Sequence, residues 1–289
     1  MAAFTPPSSK KISLKTLALA LGIVAPLVIF AFSLVLPPAG DFLDAFWPAA
    51  HAPLDPYRVP GYLNPPWIAL LLYPLTFLPE RLAQAVIAFL NLAVTLLLVV
   101  RCGGNRWSVL LALTSAPFLS LLVNGNMDWL PMAAFLLPAE AGLAVALSKP
   151  QVGMLAGLLW FKRAKRKLLF LLPATGLLLL SFVVWGWWVP QMFAQTGPGG
   201  RAVGPWNVSP FPWMIPVGLA LLYFAWKRED ELLAVAATLC LVPYFAIYSL
   251  TAFFAMFAAR SPRHAVIAWV VLWIFFFVLR WIGLQYFAG

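Results

Sequence analysis

Long apolar runs separated by short basic clusters constrain this chain more than any other feature. The first run, Thr16 to Pro37, carries no charged residue and follows Lys10, Lys11 and Lys15. A helix needs about 20 apolar residues to cross the hydrocarbon core of a bilayer, so this run is long enough to span. It is also too long for the apolar core of a cleaved signal peptide. We therefore predict that the first helix is transmembrane.

The composition extends this prediction to the whole chain. The 289 residues are 63% hydrophobic and 10% charged, with a mean hydropathy of +0.92. Soluble domains carry about 25% charged residues, so we expect one multi-pass, all-α transmembrane domain over residues 1–289. The formal net charge is +10. The basic residues lie between apolar runs, where they indicate topology and contact with anionic lipid, and we expect no nucleic-acid partner.

The basic clusters also predict the orientation. Lysine and arginine concentrate on the cytoplasmic side of membrane proteins, which places residues 162–167 inside, together with the N-terminus. The loop 38–81 then lies outside with an interfacial helix over 67–79, a run too short to cross. Prolines divide residues 129–161, where we expect short or broken helices. The prediction is about nine to eleven membrane helices, counting broken ones, with the C-terminus outside a bacterial cytoplasmic membrane.

The first outer loop concentrates polar chemistry in an otherwise apolar chain. Asp41 and Asp44 follow the first helix at a spacing that gives both side chains the same face if the segment is helical. A carboxylate at the mouth of a membrane cavity can act as a general base on an acceptor hydroxyl. The alternative is a solvated loop start or a helix N-cap, and the residues alone leave it open.

Aromatic residues lie close to these carboxylates in the sequence. Tyr57, Tyr62 and Trp67 stand beside the Asp-Pro and Asn-Pro-Pro turns of the same loop. The faces of these aromatic rings are suited to stacking against a sugar ring. A rigid turn accounts for the prolines but does not account for the aromatic residues.

Two further positions combine polarity with apolar surroundings. Asn126 and Asp128 belong to a polar turn at the outer end of a helix, and Lys149 lies in a long apolar stretch. A lysine is costly in lipid and marks a functional candidate, such as a phosphate ligand. The alternative is that Lys149 extends to the interface or pairs with Glu140.

In order and spacing, these motifs resemble the GT-C glycosyltransferases, and more narrowly glycosyltransferase family 87, the polyprenyl-phosphate-mannose-dependent mannosyltransferases. The resemblance covers roughly residues 16–167, with a compressed centre typical of a short member. The matching motifs are Asp41-Phe42, Ala49-Ala50, Asp55-Pro56-Tyr57, Tyr62-Leu63-Asn64-Pro65-Pro66, Leu78-Pro79, Gly125-Asn126 and Lys149-Pro150.

The resemblance implies a GT-C-like fold and an inverting transfer of a mannose-like hexose from a polyprenyl-phosphate donor, without cofactor or metal. The base carried over is Asp41, with Asp44 as the second choice. For such a transfer we assign the donor phosphate to Lys149, Arg201 and Arg58 as cations, and the sugar and acceptor pocket to Tyr57, Tyr62, Trp67, Asn126 and Asp128.

Two other functions stay open at this point. The chain could be a non-catalytic membrane subunit of a larger complex, which would give it protein partners besides membrane lipids. It could also be a small-molecule transporter. The lack of an internal repeat and of paired intramembrane charges in the sequence speaks against a transporter.

Overall fold

The computed structural model describes residues 13–196 and 206–288, with side chains described as far as residue 281. Within these ranges the protein is helical and contains no strand. Lys10, Lys11 and Arg201 lie outside the described residues. The α-helices of this part of the chain are α1 (Leu14–Val35), α2 (Trp47–His51), α3 (Pro66–Leu72), α4 (Glu80–Arg101), α5 (Arg106–Leu113), α6 (Ala116–Asn124), α7 (Trp129–Ala133), α8 (Ala139–Ala146), α9 (Ala156–Arg163), α10 (Lys167–Trp185), α11 (Val189–Ala194), α12 (Ile215–Arg228), α13 (Glu231–Leu241), α14 (Leu250–Arg260) and α15 (Pro262–Ala288).

Four of these helices are long and apolar enough to cross a membrane, namely α1, α4, α10 and α15. A fifth candidate is the pair α5 and α6, which bend by 52° at a short break. In α1 most apolar side chains are exposed and only Leu21 is buried, as expected where lipid replaces a protein neighbour. The chain is therefore a helical membrane protein. The number of spans expected from the sequence stays a prediction.

The remaining helices are short, and prolines account for much of the fragmentation. Over residues 129–161 the chain forms α7, α8 and α9 with two 3-10 turns between them. A proline follows directly after Lys149 and another precedes α8. Proline has no backbone N–H and disfavours the helical conformation of the residue before it, so helices end there. The run predicted as an interfacial helix over 67–79 consists of α3 followed by the 3-10 turn Tyr73–Phe77.

Two apolar clusters make up most of the core. The larger one joins α4 to α7, α8, α9, α13 and α14. The second packs the loop between α1 and α4, including α2 and α3, against Trp188, which follows α10. Trp129 packs against both clusters. The segment around residues 126–129 therefore lies where the two clusters meet.

A separate group of ion pairs forms around the turn between α12 and α13. The turn carries Glu229, Asp230 and Glu231, and its basic partners come from the ends of α4, α9 and α14. We call this group the acidic-turn network; its pairs are Arg101 with Glu231, Lys162 and Arg163 with Glu229, Arg163 with Glu231, and Arg260 with Asp230. The distribution of basic residues predicts that these loops lie on the same side of the membrane. In the structure their side chains form ion pairs with one another.

Candidate functional site

Asp41 lies at the start of a helical segment that follows α1. The next residues form a π-turn, Phe42–Phe46, which leads directly into α2. Phe42 and Phe46 are buried and hold this segment against the second core cluster. Single π-turns within helices are rare and occur frequently at functional sites. This local geometry leaves the Asp41 carboxylate facing the end of α6.

Gly125 allows the end of α6 to approach Asp41 closely. It terminates α6 in the left-handed conformation, with a φ of 64°, which costs glycine less than any other residue. A Cβ atom at this position would lie 2.8 Å from the Cβ atoms of both Ala39 and Phe42. Contacts that short do not occur, so only glycine permits this packing. The next residue, Asn126, is thereby brought to Asp41.

Asn126 bridges the acidic and basic members of the site. Its Nδ2 donates a hydrogen bond to Asp41 Oδ2 at 2.6 Å. Its Oδ1 accepts from Lys149 Nζ at 2.5 Å and from the Met127 backbone N–H at 2.7 Å. Because two donors face the oxygen, the amide group can turn only its NH2 towards Asp41. The orientation of the bridge is fixed by its partners.

Lys149 also forms an ion pair with Asp128 through the Oδ1 atom. The residues Lys149 and Asp128 are 7% and 1% exposed, so both charges are buried. The ring of Tyr248 lies 4.7 Å from the Lys149 ammonium and stabilises it by a cation–π contact. Among the described residues, Asp128 Oδ2 has no hydrogen-bond partner. We call Asp41, Asn126, Asp128 and Lys149 the buried network.

Burial raises the pKa of Asp41 above its ordinary value, because the ionised form loses hydration. Three neighbours oppose this shift: the Asn126 hydrogen bond, the Lys149 charge and the Tyr248 hydroxyl favour the ionised form. The net result is a raised pKa, which makes the carboxylate a stronger base than an exposed aspartate. These neighbours also hold the group in one geometry.

Asn91 joins the site to the core, although the sequence analysis did not select it. It is fully buried in α4, where Nδ2 donates to the Asn126 carbonyl at 2.8 Å and Oδ1 accepts from the Trp129 backbone N–H at 3.0 Å. Both hydrogen bonds fix the turn that carries the buried network. An asparagine in an apolar helix was a usable signal, because polar residues in such helices usually have a partner.

Tyr244 and Tyr248 were also missed. Burial raises the pKa of Tyr244 to about 12, and the neighbouring Asp41 and Asp128 charges add to the shift. Both tyrosines come from the segment between α13 and α14. Nothing in the local sequence distinguishes them from other tyrosines, since their role depends on contacts with residues more distant in the chain.

Several predicted residues are not joined to the buried network by the hydrogen bonds and ion pairs of the described part of the chain. Asp44 and Arg58 are exposed, and Arg201 is outside the described residues. Tyr57 and Tyr62 are buried, and their hydroxyls donate to the carbonyls of Asn64 at 3.0 Å and Pro65 at 3.1 Å.

Trp67 contacts Trp188 edge to face, with the ring centroids 5.6 Å apart. The aromatic residues therefore pack the loop between α1 and α4 in this structure, and their part in sugar binding stays a prediction.

Comparisons with known proteins give no match: no family model, no curated protein and no solved structure matches this chain. In the described part of the chain, no group of three or more His, Cys, Asp or Glu side chains is arranged to hold a metal ion. The geometry of the site is therefore the basis for proposing a function.

Proposed function

We propose that the protein is a membrane glycosyltransferase that moves a mannose-like hexose from a polyprenyl-phosphate donor to an acceptor hydroxyl on the outer face. Asp41 is the general base. One observation carries the proposal: Asp41, Asn126 and Lys149, which belong to three separate motifs of the resemblance, are joined by hydrogen bonds. A chance resemblance gives no reason for these residues to meet.

The reaction assigned to this site is a single inverting displacement. The acceptor oxygen attacks C1 of the hexose while Asp41 takes the hydroxyl proton. The bond between C1 and the phosphate oxygen breaks, and polyprenyl phosphate leaves with the bonding electrons. Bond formation, bond cleavage and proton transfer balance without an additional reagent.

The buried network supplies what this displacement needs. The raised pKa of Asp41 increases its basicity, and Asn126 keeps the carboxylate in position. Lys149 is assigned to the charge that develops on the leaving phosphate, since a fixed cation stabilises such charge strongly in a water-poor site. Two of its three N–H donors bond Asn126 and Asp128, which leaves one for a phosphate oxygen.

A non-catalytic membrane subunit is the second candidate, and the depth of the ion pair favours it. A Lys149 that is 7% exposed and already paired with Asp128 could simply fix the packing of the short helices. The same pair also weakens the case against a transporter, which relied partly on the lack of paired buried charges in the sequence.

A direct assay separates these functions. Purified protein in lipid nanodiscs is incubated with polyprenyl-phosphate mannose or glucose and a panel of glycosyl acceptors, and the release of polyprenyl phosphate is measured. We expect release that depends on the acceptor, is unchanged by a metal chelator and is absent with a nucleotide sugar. Lack of release with every lipid-linked hexose would overturn the enzyme proposal and favour the subunit.

A further inference from the structure

A cavity with charged and apolar side chains in its wall lies where α9 connects to α10, and no residue of the buried network lines it. Its volume is about 440 Å³. Polar and apolar side chains share its wall, which includes Glu140, Trp160, Arg163, Lys165, Arg166 and Leu169. Neither the resemblance nor the proposed reaction uses this cavity.

Two of its cations are available to a ligand. Arg163 is occupied, since its guanidinium bonds Glu229 and Glu231 of the acidic-turn network. Lys165 and Arg166 are exposed, and no carboxylate in the described part of the chain pairs with either. Arg166 directly precedes α10, whose first backbone N–H groups add to the positive potential.

The position of the cavity indicates what type of ligand it takes. It opens at the first turn of α10, one of the helices able to cross a membrane. The adjoining face of α10 is apolar and exposed, with Leu168 at 85% and Leu172 at 63%. Basic pockets between helix ends at the membrane surface bind phosphate headgroups, while acyl chains follow the apolar face.

We infer that this cavity binds the phosphodiester headgroup of an anionic phospholipid through Lys165 and Arg166. The acyl chains lie along the exposed leucines of α10. This continuity with an apolar face favours a lipid over a free phosphate ion. Glu140 also lines the cavity, and its negative charge opposes excess negative charge and limits the site to a headgroup with a single phosphate.

Native mass spectrometry of the purified full-length protein tests the inference, with dioleoyl phosphatidylglycerol as the probe and dioleoyl phosphatidylcholine as the neutral comparison. We expect preferential binding of phosphatidylglycerol. The double variant Lys165→Gln/Arg166→Gln removes both basic residues that hold the headgroup and should weaken binding roughly thirtyfold. Glu140→Gln should strengthen it.

Two further variants distinguish specific binding in the cavity from non-specific electrostatic attraction of the lipid. Arg106→Gln/Arg263→Gln removes the same charge from exposed positions elsewhere and should change binding less than twofold. Ala164→Phe fills the cavity without changing charge and should weaken binding as the double variant does. Equal loss in the Arg106/Arg263 control, equal binding of phosphatidylcholine, or displacement of the lipid by inorganic phosphate would each overturn the inference.

Discussion

The buried network and the acidic-turn network use the same kinds of side chain but differ in how far their cations are exposed to solvent. In the buried network the side chains of Lys149 and Asp128 are 8% and 1% exposed. In the acidic-turn network Arg163 and Glu229 are 39% and 43% exposed, and the pKa of Glu229 is lowered mainly by its hydrogen bonds to Lys162 and Arg163. Exposed pairs of this kind keep their hydration and cost little to form.

This difference separates a structural role from a chemical one. A buried ion pair loses hydration, and replacing it by apolar residues is often neutral or stabilising. The acidic-turn network joins the ends of several helices, and this structural role accounts for its charged side chains. The buried network is a costly way to stabilise a fold, and the raised pKa of its member Asp41 is what favours chemistry there.

Among the variants proposed to compare the two networks, Lys149→Met should have the largest effect on stability and on transfer. It leaves the Asp128 charge buried without a partner, which costs about 3–5 kcal/mol of unfolding free energy. It also removes the cation assigned to the leaving phosphate, so transfer should fall roughly a hundredfold or more. Chemical denaturation and the transfer assay measure the two effects.

A companion variant, Lys149→Met/Asp128→Leu, replaces both charges and should regain most of the stability but none of the transfer. Normal transfer in either variant would contradict the role given to Lys149.

Gly125→Ala tests the close approach that joins Asn126 to Asp41. The added Cβ would meet Ala39 and Phe42 and would sit at a positive φ, so we expect a loss of about 1–3 kcal/mol and weaker transfer. Gly103 is the matched control, because its φ is also positive but nothing lies within 4 Å of an added Cβ. Gly103→Ala should cost about 1 kcal/mol and leave transfer intact. Similar transfer in both variants would exclude this role for Gly125.

The pH dependence of transfer should report on Asp41. A base must be ionised, so its raised pKa places the acidic limb of the profile at higher pH than an exposed aspartate would. Asn126→Ala removes a hydrogen bond that lowers this pKa and should move the limb to still higher pH. Profiles of kcat/KM against pH measure this shift. An acidic limb that stays in place would show that Asn126 does not act on the catalytic group.

The smallest effect is expected in the acidic-turn network. Lys162→Gln removes one of the two partners of Glu229, in a pair whose side chains are 31% and 43% exposed. Exposed ion pairs contribute up to about 1 kcal/mol, so stability should change by no more than that and transfer should not change. A loss comparable to that of Lys149→Met would remove the distinction between the two networks.

Sequence reasoning could select part of the site because some residues are conspicuous locally. Lys149 stands out in an apolar stretch, and Asp41 follows directly after a membrane-length helix. Tyr244 and Tyr248 become significant only through packing that brings distant segments together, which no local pattern encodes, whereas the position of Asn91 in an apolar helix was a local signal that we did not use. The short helices were predictable from proline positions, and Pro117, in the first turn of α6, is a local signal for the bend between α5 and α6 as well.

The most direct test compares Asp41→Asn with Asp44→Asn in the transfer assay and in thermal unfolding. The fold favours the protonated form of Asp41, a contribution that is greatest below its ordinary pKa of 3.8 and is lost as pH rises through the raised value. At neutral pH, Asp41→Asn should therefore unfold at the same temperature as the wild type or higher. Its transfer should nevertheless be slower by roughly a hundredfold, while Asp44→Asn stays active. Full transfer by Asp41→Asn would contradict the assignment of Asp41 as the base.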